Sequence, residues 1–161
     1  MTVAGDGGAV RLRAENLKAG MAAPALTRTL TRTDFVRYAG ASGDFNPMHH
    51  DEIRARGSGQ PSVFGHGMLS MGMLATAITN FAGVGSVLRY RVRFTAQTWP
   101  GETLTSEATV SAVRTEHTRH VADLDVRLVN ESGEAKVVGD ATVVLLGGLQ
   151  RPAKRGSRRS A

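Results

Sequence analysis

An acid and an imidazole stand five positions apart in the stretch Tyr38-Ala39-Gly40-Ala41-Ser42-Gly43-Asp44-Phe45-Asn46-Pro47-Met48-His49. On a helix, side chains at that spacing diverge, so Asp44 and His49 cannot meet on one. Pro47 fixes its own φ and pushes Asn46 toward an extended conformation, so a turn can bring the two together. Such a pair could hold one water between its members. Near neutral pH an unperturbed Asp is ionised and a His sits close to its pKa of about 6.5, which offers a base and a potential acid. Taken alone the pair has a plainer use, with Asp44 capping the turn after Gly43 and His49 hydrogen-bonded inside the fold. His50 and Asp51 raise a metal site, but Asp51 more simply caps a short helix at Glu52-Ile53-Arg54.

A second feature is Phe64-Gly65-His66-Gly67-Met68-Leu69, where glycines meet the start of an apolar segment. Glycine permits close backbone approach, and free N–H groups at a helix start, with the positive end of its dipole, can polarise a ligand carbonyl. Tight helix–sheet packing is the competing use of those glycines. Neither Gly65-x-Gly67 nor Gly83-x-Gly85 completes a dinucleotide fingerprint, because Ser70 and Leu88 stand where the third glycine belongs. Nucleotide cofactors are therefore not expected.

The elements that must position these residues follow an α+β pattern, helical first and strand-rich second. A helix is expected from Thr33 as N-cap through Phe35, Tyr38 and Ala39, ending as Gly40 and Gly43 weaken it just before Asp44. From Gly57 to Leu88 no formally charged residue occurs. Gly67 to Phe81 is apolar nearly all round, so this helix should lie buried on the concave face of a sheet with neighbours on every side. Thr76, Thr79, Asn80, Gly83 and Gly85 interrupt it too often for a membrane span, which needs about 20 apolar residues. Leu88, Tyr90, Val92 and Phe94 alternate with Arg89, Arg91 and Arg93, which predicts a strand with one buried face. The arginines read as its solvated face, though a phosphate-bearing carrier could use them. Further strands are expected at Leu104 to Val110, at Ala122 to Leu128, and at Lys136 to Leu146 after an Asn130-Glu131-Ser132-Gly133 turn. The last is apolar on both faces around Asp140, as a central or interface strand would be.

Composition narrows the function classes. With 161 residues and 41% hydrophobic side chains, one ordinary domain is expected. The absence of cysteine removes disulfides, thiolate zinc sites and cysteine nucleophiles. The net charge is +6, but +5 of it lies in Arg151, Lys154, Arg155, Arg158 and Arg159, leaving residues 1–148 at +1. That speaks against nucleic-acid binding by the body, and the tail reads as a disordered solubilising segment. The N-terminus shows no basic start followed by an apolar run, so a cytoplasmic protein is expected. We expect a flexible N-terminus over 1–14, a folded domain over 15–148 and a basic tail over 149–161.

Gly43-Asp44-x-Asn46-Pro47-x-His49, followed by His66-Gly67-Met68-Leu69 and more loosely by Val92-Arg93-Phe94 and Pro100-Gly101-Glu102, resembles the MaoC-like hydratase/dehydratase family. Within it the chain looks closest to the catalytic subunit of mycobacterial-type (3R)-hydroxyacyl-ACP dehydratases, which work with a second, non-catalytic subunit. The resemblance implies a single hot-dog domain, an antiparallel sheet wrapped around one long buried helix, paired as a homodimer or as a heterodimer with another hot-dog subunit. It implies hydration of trans-2-enoyl thioesters, on CoA or acyl carrier protein, to (3R)-hydroxyacyl products, without metal or organic cofactor. Asp44 and His49 would hold the catalytic water, with Gly67 and His66 at the thioester oxygen. Met68, Leu69 and Met71 are candidates for an acyl pocket, in competition with core packing. A catalytically silent partner subunit and a hot-dog thioesterase are the alternatives.

Overall fold

The computed structural model of the protein describes residues 16–117 and 119–145, so the flanks expected at 1–14 and 149–161 lie outside the described residues. Five antiparallel strands form one sheet in the order β1-β3-β4-β5-β2. They are β1 (Thr27–Thr29), β2 (Val87–Phe94), β3 (Thr103–Glu116), β4 (Arg119–Val129) and β5 (Ala135–Val144). Between β1 and β2 run α1 (Arg32–Ser42), a 3-10 turn (Pro47–His49), α2 (Glu52–Gly57) and α3 (Gly67–Ala82).

Alternation sets the core. Leu124, Val126 and Leu128 of β4 face inward with Leu104, Ala108 and Val110 of β3 and Val137, Ala141 and Val143 of β5. Against them α3 packs Met73, Leu74, Ile78, Phe81 and Ala82. The helix is not covered on every side as its composition suggested. Met68, Gly72, Thr76 and Asn80, four residues apart, form an exposed stripe. Among the described residues no helix is long and apolar enough to cross a membrane.

Two other expectations change. The N-cap of α1 is Thr31, not Thr33, because Asp34 completes a capping box: Thr31 N–H donates to Asp34 Oδ2 at 2.9 Å, and Asp34 N–H donates to Thr31 Oγ1. The helix passes Gly40 and stops at Gly43, whose φ of 75° is a left-handed conformation that glycine adopts without a Cβ penalty. That turn delivers Asp44. β2 is an edge strand, and its apolar face is only half covered: Tyr90 and Val92 pack on the core while Leu88 and Phe94 stay about half exposed. On its other face Arg89 and Arg91 both pair with Asp140 of β5, at 2.7 and 3.2 Å.

Candidate active site

The Asn46-Pro47 step makes the turn foreseen from sequence. Asn46 accepts the Met48 N–H on its side-chain oxygen at 3.1 Å, Pro47 opens the 3-10 turn, and His49 ends it. Phe64 N–H donates to Met48 O at 3.2 Å, so the segment before α3 is laced to this turn and presents its own carbonyl to His49. His49 is buried, and its Nδ1–H donates to Phe64 O at 2.7 Å. Since a carbonyl only accepts, this bond assigns the proton to Nδ1 and leaves Nε2 a lone pair.

That lone pair lies 4.0 Å from Asp44 Oδ2. The gap exceeds a direct hydrogen bond and suits one bridging water that donates to both atoms. Asp44 is 55% exposed. Its Oδ1 accepts the Asn46 N–H at 3.2 Å, which aims Oδ2 at the imidazole. Burial is the largest influence on His49 and pushes its pKa below the ordinary histidine value; His66 adds to this, and the Phe64 bond and the Asp44 charge oppose it.

The ring of His66 stacks on His49, with centroids 3.7 Å apart, while Phe64 meets His49 edge-on. His66 is the N-cap residue of α3, yet its side chain turns inward and Nε2–H donates to Asp44 O at 2.9 Å. The ring is buried there. Gly67 is exposed, and neither its N–H nor that of Met68 finds an acceptor among the described residues. The start of α3 therefore offers free donors beside the Asp44–His49 pair. Gly65 is there for space: a Cβ would collide with Thr98 Oγ1 and lie 2.9 Å from Phe35.

A cavity of about 420 Å³ opens at this helix start, lined among others by Gly67, Ser70, Phe94, Thr98 and Lys136. Met68, Leu69 and Met71 are not on its wall. Met68 points to solvent, Leu69 packs against the core, and Met71 is half buried with its carbonyl taken by Tyr90 OH at 3.0 Å. Thr98 and Lys136 carried no signal in the sequence, and Phe94 showed only its place in the strand pattern. Donor atoms of Asp44, His49 and His66 lie within 4.8 Å of one another. Two of the ring nitrogens there are already engaged, His49 Nδ1 by the Phe64 carbonyl and His66 Nε2 by the Asp44 carbonyl.

A long helix packed on an antiparallel sheet, with an acid, an imidazole and free amides gathered at its N-terminus, is the architecture of a hot-dog protein. Solved hot-dog structures superpose accordingly. The unliganded R-hydratase PhaJ1 of Pseudomonas aeruginosa matches with a TM-score of 0.74 and 28% identity, over 82% of this chain and 84% of that one. The (R)-hydratase of A. caviae involved in PHA biosynthesis also gives 0.74, with 26% identity over 81% of this chain and 98% of that one. Residues 16–131 match the MaoC like domain. An (R)-specific enoyl-CoA hydratase of Rhodospirillum rubrum is 30% identical over 133 residues, 81% of this chain and 90% of the relative. The chain belongs to the MaoC-like hydratase/dehydratase family.

Proposed function

We propose that this chain is a hydro-lyase that reversibly hydrates trans-2-enoyl thioesters, carried on CoA or acyl carrier protein, to (3R)-hydroxyacyl thioesters. The observation that carries the reading is the proton-free Nε2 of His49 facing Asp44 Oδ2 at 4.0 Å, next to the Gly67 N–H, which has no acceptor among the described residues. Gly67 N–H binds the thioester oxygen and draws electrons from the double bond, leaving C3 electrophilic. A water held by Asp44 and His49 attacks C3 while one of the pair takes its proton. The resulting enolate charge rests on the thioester oxygen until it collapses, and C2 then takes a proton back from the pair. One water is consumed and no proton is left over; dehydration runs the same steps in reverse. The cavity beside Gly67 provides room for the thioester end of the substrate. A second hot-dog chain, identical or not, is part of the proposal, since among the described residues β2 leaves an unpaired edge with Leu88 and Phe94 open.

The test follows the loss of enoyl-thioester absorbance with short and long trans-2-enoyl-CoA substrates. We expect turnover in the wild type and a fall of at least about a hundredfold in both Asp44→Asn and His49→Gln, the scale of general acid–base groups. Release of free thiol would mark a thioesterase and overturn the proposal. A folded wild type inert at every chain length, alone and with a hot-dog partner, would do the same.

A further inference from the structure

Asp44 stands on an exposed loop with few anchors. Its N–H donates to Ser42 Oγ at 3.2 Å, within the same turn, and its carbonyl accepts from His66 Nε2–H at 2.9 Å. The second bond ties Asp44 to the N-cap residue of α3. The same His66 ring lies against His49, so one side chain, 2% exposed, touches both members of the pair. Tyr38 closes on His66 with centroids 4.9 Å apart.

Because Nε2 carries the proton in its bond to Asp44, Nδ1 is a lone pair, and it is buried without a donor among the described residues. Two hydroxyls, Ser70 Oγ and Thr98 Oγ1, are likewise buried and without partners among the described residues. Ser70 follows His66 by one helical turn, and helical side chains lean toward the N-terminus, which carries this one over the N-cap. The Thr98 carbonyl accepts the N–H of Gly65, the residue before His66, at 2.8 Å, and the Thr98 hydroxyl occupies the space a Gly65 Cβ would need. The acceptor that lacks a donor and the two hydroxyls able to donate thus sit on residues joined through the start of α3, with no hydrogen bond among the three. Buried polar groups are rarely left so, and a short side-chain rotation or one water in the adjoining cavity, whose wall includes Ser70 and Thr98, closes the set.

We propose that His66 is the positioning residue of the Asp44–His49 pair, gripping the Asp44 carbonyl and backing the His49 ring, with the Ser70 and Thr98 hydroxyls holding its Nδ1 from behind. The inference rests on the hydro-lyase reading of that pair. His66 then acts through the reacting groups without meeting the substrate.

The experiment compares kcat and KM on a trans-2-enoyl-CoA for wild type, His66→Phe, His66→Gln and the Ser70→Ala/Thr98→Val double variant, with ¹⁵N NMR of the histidine rings. His66→Phe keeps a ring for the stack and loses the donor. His66→Gln restores an N–H donor. We expect kcat to fall about ten- to hundredfold in His66→Phe with KM little changed, as for misplaced catalytic groups, and to recover partly in His66→Gln. In the double variant the His66 Nδ1 resonance moves toward that of a ring nitrogen without a hydrogen bond, and kcat falls. Wild-type kcat in His66→Phe, a loss confined to KM, or an unmoved Nδ1 resonance in the double variant overturns the proposal. If His66→Phe does not fold, the double variant, which changes little volume, decides alone. Full activity in Asp44→Asn and His49→Gln would instead remove the functional reading beneath it.

Discussion

The chemistry proposed for Asp44 and His49 depends on which nitrogen of His49 holds its proton, and that is settled by a carbonyl fifteen residues away, Phe64 O. The spacing around Asn46-Pro47 made the meeting of acid and imidazole legible in the sequence; the tautomer was not, because it depends on how a later segment packs. His66 shows the same limit, since the sequence marks it as the residue before a glycine-led helix and only packing places its ring against His49 and its Nε2–H on the Asp44 carbonyl. Burial lowers the pKa of His49, so the ring stays neutral and Nε2 stays available as pH falls through the ordinary histidine value of about 6.5. We expect kcat/KM for hydration to hold level down to about that pH and to decline only below it. A limb centred at or above that value in the pH–rate profile of the free enzyme would contradict the buried, neutral His49.

Among the elements, alternation made β2 and β4 legible, the Leu104 to Val110 part of β3 was legible as a strand, and the apolar run from Gly67 made α3 so. β1 was missed because its three residues, Thr27–Thr29, are all exposed and carry no apolar pattern. That β2 lies at the edge was equally hidden, since alternation reports one apolar face without saying how fully a neighbour covers it. What holds this edge is Gly139, opposite Val92 in the β2–β5 ladder. A Cβ there would lie 2.8 Å from Val92 Cα and strike the Arg91 carbonyl, so the strands approach more closely than a side chain allows. β2 in turn carries Tyr90, bonded to the Met71 carbonyl of α3, and Phe94, whose ring lies against Gly67. Gly139→Ala should therefore destabilise by roughly 1–3 kcal/mol, the scale of overpacking, and lower turnover as Phe94 shifts over the helix start. Urea denaturation read beside the hydration assay checks both, and an unchanged midpoint would mean that the ladder can widen freely.

Over the whole molecule, the end that holds the cavity is tied by charge as well as by apolar packing. Lys136 at the start of β5 is buried, and its Nζ reaches Glu102 at 2.7 Å and Glu134 at 2.5 Å. Glu102 also accepts from Trp99 N–H at 2.8 Å and Asn130 Nδ2 at 2.9 Å, so the entry to β3, the β4–β5 turn and β5 meet at one carboxylate. A lysine in a strand reads as solvent-facing, and the sequence did not show a partner so distant along the chain. Burial pulls Glu102 up and Lys136 down, but their bonds outweigh it, leaving Glu102 below and Lys136 above their ordinary pKa values. Glu102 therefore stabilises the fold above its ordinary pKa of about 4.3 and loses that contribution as pH falls, whereas Lys136 stabilises below about 10.4 and loses its contribution as pH rises. His49, lowered by burial, costs stability once pH drops under about 6.5. Asp34 is also lowered, and Glu52, bonded to Arg32 and Arg56, is held at about 2. The melting temperature should thus be level between about pH 7 and 9, slope gently below about 6.5, and fall steeply below about 4.5. Lys136→Met should cost about 2–3 kcal/mol at neutral pH, less than the 3–5 of breaking a fully buried pair, because Glu134 opens to solvent and Glu102 keeps two N–H donors. Adding Glu102→Gln should then recover part of the loss, since the carboxylate stranded by the first change is gone. Denaturant melts of the two single variants and the double close that cycle, and strictly additive losses would show that the two charges do not act as a pair.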